Sequence, residues 1–342
     1  MNRKIDLRSD TVTKPTAKMR KIMAEAEVGD DVFREDPTIN AFEHKIADMF
    51  GFEAGLFVPS GTMGNQLALH MLTQPGDEII CDYTSHIFNY ESAAAGFLSG
   101  VQLRTINGRF GIMEPSDIEK AIRPCNDWDP HTSVIALENS TNKGGGSCYC
   151  KKELMDIRNL ADEYHLSVHL DGARIWNAAL ATVTELSYYG SVADTMSICF
   201  SKGLGAPVGS MLLGDQDLIT PARRVRKMLG GGMRQAGILA AAADYAVDNH
   251  FQLLREDHKR ARSLGKTIMQ CSKLVIDMNS IRTNILLFDV KDIPVNDALK
   301  MLEKEGILMV PFGPHTIRAV FHFEITDDDM NHVNSVFRHL FI

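Results

Sequence analysis

Short apolar runs recur between residues 56 and 213, and helical patterns separate most of them. The candidate strands are residues 56–58, 78–81, 134–137, 167–170, 196–200 and 210–213. Several are apolar at consecutive positions, which suits strands covered on both faces. Between residues 151 and 164, Leu154, Ile157, Leu160, Ala161 and Tyr164 share one helical face. Pro115 opens another helix over 116–122, where its missing backbone donor costs little. This alternation predicts an α/β fold in which helices wrap a mostly parallel sheet.

The pattern changes after Gly230-Gly231-Gly232. An alanine-rich helical run over 235–246 leads into a charged stretch over 253–262. Strand-like segments then appear at 284–290, 307–310 and 317–323. A last helix begins at Asp327, with Thr326 as its cap and acids in its first turn. A chain of 342 residues exceeds one small core. The expected division is an N-terminal segment and large domain over 1–245 and a small α+β domain over 246–342.

A net charge of -8 argues against nucleic acid or an anionic membrane as partner. No apolar run reaches bilayer length, and the charged start lacks the apolar segment of a secretory leader. The six cysteines have no paired metal-type spacing, so no metal site is expected. They read as reduced thiols in a cytoplasmic protein.

The chemistry concentrates where strands end. Lys202 leaves the run 196–200 inside Ser201-Lys202-Gly203-Leu204-Gly205-Ala206-Pro207-Val208-Gly209-Ser210. Its glycines and proline fix backbone more tightly than a surface loop requires. Asp171 and Arg174 follow the run 167–170, where open parallel sheets bind ligands. Asp171 is equally placed to cap a helix. Ser60-Gly61-Thr62 precedes a helical run over 63–72, a pattern suited to phosphate at a helix N-terminus. His86 follows the run 78–81, where an imidazole can stack on a flat ring or move a proton. Amine, carboxylate and guanidinium together meet the needs of pyridoxal phosphate: an amine for the Schiff base, an acid for the ring nitrogen, a cation for an anion. Other motifs fail. Val208 stands where a dinucleotide fingerprint needs a small residue, Gly265-Lys266-Thr267 lacks the earlier glycine of a P-loop, and no G-x-S-x-G elbow is present.

Six further segments carry a resemblance: Asp6 to Thr13, Gly29 to Val32, Pro59 to Asn65, Asp171 to Arg174, Ser201 to Ser210 and Leu229 to Gln235. In this order they resemble the low-specificity L-threonine aldolases, within the β-eliminating lyase group of fold-type I pyridoxal phosphate enzymes. The resemblance implies that fold, with an aminotransferase-like large domain. It implies retro-aldol cleavage of threonine or allo-threonine to glycine and an aldehyde, a step of glycine biosynthesis.

It also implies roles for residues. Lys202 would carry the cofactor, Asp171 would face its ring nitrogen, and His86 would stack on the ring. Gly61 and Thr62, beside Ser60, would hold the phosphate. Ser9, Arg174 and Arg318 would bind the amino-acid carboxylate, and Tyr90 would line the pocket. Arg234 would reach the phosphate of a neighbouring subunit, in a homotetramer with sites at a dimer interface. The chain departs from the pattern at Thr141, where the family commonly has histidine, and at Phe321, where threonine is more usual. The competing readings are a β-eliminating lyase or aminotransferase on the same scaffold and, remotely, a non-catalytic module. The last should have lost Lys202 or Asp171, and both are present.

Overall fold

The computed structural model describes residues 4–342. The chain runs β1 (Ile5–Asp6), α1 (Ala17–Glu25), α2 (Pro37–Phe50), β2 (Ala54–Val58), α3 (Gly61–Leu72), β3 (Glu78–Asp82), α4 (His86–Asn89) and β4 (Gln102–Ile106). It continues through α5 (Pro115–Ala121), β5 (Thr132–Glu138), α6 (Lys151–Glu163), β6 (Ser167–Gly172), α7 (Ile175–Thr182), β7 (Thr195–Cys199), β8 (Ser210–Gly214), α8 (Gln216–Met228) and α9 (Gly237–His250). The remainder comprises α10 (Leu254–Ile268), β9 (Leu274–Val275), β10 (Ile285–Val290), α11 (Val295–Lys304), β11 (Ile307–Leu308), β12 (Val310–Pro311), β13 (Thr316–Val320) and α12 (Asp327–Phe341).

Seven strands form the main sheet in the order β2-β8-β7-β6-β5-β3-β4. Pairs from β7 across to β4 are parallel, and β8 runs antiparallel to both of its neighbours. Every residue of β3, β5, β7 and β8 is buried, as the consecutive apolar runs require. The edge strand β4 escapes the sequence pattern because its residues, Gln102 to Ile106, are only partly covered. Pro115 occupies the first turn of α5. Thr326 caps α12 through its side chain on Asp329 N, as its sequence suggests.

Helix α9 runs unbroken through residue 246, and Ala240, Ala243, Ala246 and Val247 pack in the same core as the main sheet. The sequence boundary at 245 and 246 therefore falls inside a helix. A second core gathers Ala261, Leu264, Leu286, Phe288, Ile317 and Phe337 around the antiparallel sheet β12-β13-β10-β9. Ile5 and Leu7 join this second core, and β1 pairs in parallel with β11. The chain start is thus drawn across to the C-terminal part, which places residues 8–13 beside the ends of the main-sheet strands. No described helix is long and apolar enough to cross a membrane.

Candidate active site

The parallel strands β3, β5, β6 and β7 end on one side of the sheet, and a cavity of about 170 Å³ lies there. Seven predicted residues line it: Ser60, Gly61, Thr62, His86, Asp171, Arg174 and Lys202. Ser9, Tyr90, Arg234 and Arg318 are not in its wall. A wider open depression of about 630 Å³ lies around Val290–Val295 and Pro311–His315, with Asp292 and His315 as its titratable groups.

Lys202 enters from the loop after β7. Gly205 N and Thr13 Oγ1 both donate to the Lys202 carbonyl, at 2.8 and 3.1 Å. Gly205 has φ +82°, and a Cβ there would stand 2.4 Å from the Phe323 ring, so this turn needs glycine. Among the described residues the Lys202 ammonium makes no hydrogen bond or ion pair. Opposite, α3 begins at the cavity. Ser60 caps it by accepting from Met63 N at 3.2 Å, while the N–H groups of Gly61 and Thr62 have no partner within the helix. A Cβ on Gly61 would come within 2.7 Å of Cys199 Sγ, so only glycine lets the helix start this close to β7.

Asp171 is the penultimate residue of β6, and Arg174 stands at the N-cap position of α7, so Asp171 does not cap that helix. Asp171 Oδ1 accepts from Ala173 N at 3.0 Å, and Oδ2 accepts from Asn65 Nδ2 at 2.8 Å. Behind this pair a buried relay sets the amide. His169 Nε2 meets Asn65 Oδ1 at 3.1 Å, and His169 Nδ1 meets Thr195 Oγ1 at 2.9 Å. Burial pushes the His169 pKa down to about 4, so the ring is neutral. A neutral ring that accepts from the threonine hydroxyl has its proton on Nε2, which directs Asn65 Nδ2 toward the carboxylates.

His86 starts α4. Its Nδ1 donates to the buried Glu91 carboxylate at 2.7 Å. Glu91 also accepts from Asn65 Nδ2 at 2.8 Å and Gln66 Nε2 at 2.6 Å. Burial alone would lower the His86 pKa, but the Glu91 hydrogen bond and the Asp171 charge outweigh it and raise it. Glu138, beside Asp171 in register, lines the cavity and accepts from His86 N at 2.7 Å. Burial and the Asp171 charge push its pKa up to about 7.

The arginines differ. Arg174 is buried and holds Asp10 with two hydrogen bonds, Nε at 2.8 Å and Nη2 at 2.7 Å, leaving Nη1 for another anion. Arg318 donates from Nη1 to Asn142 Oδ1 at 2.8 Å and from Nη2 to Arg8 O at 3.0 Å. Burial, then the Arg174 charge, lower its pKa to about 10, so it stays a cation at neutral pH. Asn142 lines the cavity, so Arg318 stands one residue behind the wall.

Ser9 caps a short 3-10 turn by accepting from Thr11 N at 3.2 Å. Tyr90 is 46% exposed, with its ring 5.4 Å from that of His86. Arg234 is exposed and pairs with Asp30 at 2.8 Å. Thr141 is buried and spends its hydroxyl on the Phe110 carbonyl at 2.9 Å. Glu91 and His169 carry no local signal as site residues. Asn65 and Asp10 lie within segments that carry the resemblance, and Glu138 follows the run 134–137, but nothing local marks their partners.

The site suits pyridoxal phosphate. Free N–H groups at Gly61 and Thr62 can take a phosphate, Lys202 offers an amine, and Ser140 Oγ lines the cavity buried and without a partner. The Asp171 carboxylate lines the cavity within 4.8 Å of the His86 imidazole and the Glu91 carboxylate, and an acid in that place favours a cationic ring nitrogen.

The fold and this site define a fold-type I pyridoxal phosphate enzyme. The structure aligns with the threonine aldolase of Leishmania major at a TM-score of 0.85, covering 98% of this chain and 99% of that one at 21% identity. It also aligns with the serine palmitoyltransferase of Sphingomonas wittichii at a TM-score of 0.77, covering 98% and 86% at 16% identity. Residues 6–292 match the family described as beta-eliminating lyase. The probable low-specificity L-threonine aldolase 2 of Arabidopsis thaliana is 43% identical over 99% of this chain and 98% of its own length. The low specificity L-threonine aldolase of Escherichia coli K12 is 36% identical over 98% of both. The chain belongs to the beta-eliminating lyase family, in the group of the low-specificity L-threonine aldolases.

Proposed function

We propose that this enzyme cleaves the Cα–Cβ bond of L-threonine and L-allo-threonine, giving glycine and acetaldehyde. The observation that carries the reading is one cavity holding the Lys202 amine, the Asp171 carboxylate and the open start of α3. Pyridoxal phosphate supplies an aldehyde that takes up the substrate amine and a ring that accepts the electron pair of the broken bond.

The residues do the rest. Lys202 would hold the cofactor through its amine. Gly61 and Thr62 would bind its phosphate, and the Asp171 carboxylate would keep the ring nitrogen charged. Arg174 Nη1 and Arg318 would hold the substrate carboxylate, with Ser9 between the two residues that touch them, Arg8 and Asp10, and so would set which bond at Cα is cleaved. His86 would stack on the cofactor ring and take the β-hydroxyl proton, and Glu91 would steady its charge. Tyr90 flanks that imidazole.

We also propose a homotetramer in which Arg234 serves the phosphate of a neighbouring subunit. The supports are its position outside its own cavity and the exposed Phe33, Phe88 and Phe97. The proposed domain division follows the two cores, with Ile5 and Leu7 assigned to the second. Six unpaired cysteines support a cytoplasmic, reducing location.

Borohydride treatment of the purified enzyme fixes the cofactor on its anchoring amine, and peptide mapping should place the label on residue 202. Threonine should then yield glycine and acetaldehyde. A label elsewhere overturns the Lys202 role. Ammonia with a keto acid as products would make the enzyme an eliminating lyase, and amino transfer to an added keto acid would make it an aminotransferase.

A further inference from the structure

Glu138 is a buried acid at the end of β5 that the reaction as described does not use. It stands in register beside Asp171, where a second carboxylate is costly. Both of its oxygens are nevertheless engaged. Oε2 accepts from His86 N at 2.7 Å, and Oε1 accepts from Asn142 N at 2.7 Å. These two amides belong to separate loops, one following β3 and the other following β5. Each loop carries a functional side chain. His86 reaches Glu91 through its ring, and Asn142 holds Arg318 Nη1 at 2.8 Å.

A glutamine would fill the same space without a charge beside Asp171. Its oxygen would satisfy one amide, and its NH₂ group would face the other as donor against donor. The two oxygens of a carboxylate accept from both loops at once, as a glutamine cannot. We propose that Glu138 is a positioning residue: its two oxygens lock the His86 and Asn142 loops to each other, and through Asn142 they set where Arg318 points. The proposal rests on the reading of Arg318 as a partner of the substrate carboxylate.

The test uses Glu138→Gln, Asn142→Ala and Arg318→Ala. Amide hydrogen exchange on cofactor-free protein reads the lock directly. In E138Q, the His86 or the Asn142 amide should exchange at least about tenfold faster, the worth of one charge-assisted hydrogen bond, with the rest of β5 unchanged. If both amides stay as protected as in the native chain, the lock is refuted. N142A keeps both backbone contacts of Glu138 and removes only the link to Arg318. It should raise KM for threonine about tenfold while kcat changes less. In the N142A/R318A double variant the two effects should not add.

A raised KM in R318A with an unchanged KM in N142A would overturn this proposal alone. An unchanged KM in R318A would overturn the carboxylate reading itself and the proposal with it. If E138Q does not fold, an unchanged KM in N142A still overturns the proposal, because Glu138 reaches Arg318 only through Asn142.

Discussion

Asp10 and Arg174, 164 residues apart in the chain, meet as a two-point ion pair at 2.7 and 2.8 Å with both side chains buried. Asn284 Nδ2 reaches the same carboxylate at 3.2 Å. The pair therefore ties the chain start to the main sheet and the C-terminal sheet at one point. It also uses two of the three guanidinium nitrogens, Nε and Nη2, and leaves Nη1 for a ligand.

This pair gives a stability prediction with a pH signature. Burial would raise the Asp10 pKa, but the charge and hydrogen bonds of Arg174 outweigh it and hold it at about 2. A pKa below that of the unfolded chain stabilises the fold above about pH 4, and the gain is lost as pH falls through about 2. Asp10→Asn should cost about 3 kcal/mol at pH 7, with the gap to the native chain closing toward pH 2. Urea unfolding at pH 7 and at pH 3 measures both. A gap of equal size at the two pH values would show that the charge is not what matters.

Asp171→Asn should keep the fold and lose most turnover. The new amide would face Asn65 Nδ2, donor against donor, across the present 2.8 Å contact. It would also take away the charge that a cationic ring nitrogen needs, worth about 1.4 kcal/mol per pKa unit on that nitrogen. Steady-state kinetics should show a kcat loss of about a hundredfold or more, with circular dichroism unchanged. Native turnover in this variant would remove Asp171 from the mechanism.

Glu91 should control the charge of His86. Glu91→Gln removes the negative charge behind the hydrogen bond that raises the imidazole pKa, and burial then counts for more in lowering it. A histidine NMR titration of cofactor-free protein should show the His86 pKa falling in E91Q. An unmoved titration would mean that Asp171 alone sustains the charge.

Asp257 should behave in the opposite sense to Asp10. Its carboxylate on α10 is buried with no hydrogen-bond partner among the described residues, and Arg260 lies 3.6 Å away. Burial pushes its pKa up to about 8, against the pull of Arg260. A folded pKa above the unfolded value stabilises fully only below about pH 4, and the gain drains away as pH rises to about 8. Asp257→Asn should therefore be the more stable protein at pH 8, by about 1–3 kcal/mol, and the advantage should shrink toward pH 4. Thermal melts across that range decide it. A variant less stable than the native chain at pH 8 would mean that the acid is ionised and usefully paired.

The chemistry that the sequence announces sits where strands end. Lys202, Asp171 and Gly61-Thr62 each follow an apolar run, and a strand exit in an open parallel sheet is a local property with a fixed functional meaning. The runs were legible because β3, β5 and β7 are covered on both faces. Strand β4 was not, because its exposed edge position leaves a mixed pattern. Nor did any local feature show that β8 runs antiparallel, since the apolar run is the same in either direction.

By itself, then, the chain's order of residues determined the α/β layering and the cofactor-handling groups, because both follow from hydrophobic periodicity and short motifs. Tertiary structure decided what holds those groups in place. Asn65 meets Asp171 and Glu91 only because α3 packs across β7 and β6 while β3, β5 and β6 lie side by side. Asp10 reaches Arg174 only because Ile5 and Leu7 bury themselves in the distant second core. A hydrogen bond between remote residues depends on strand order and register, and neither is written in the spacing of the residues it joins.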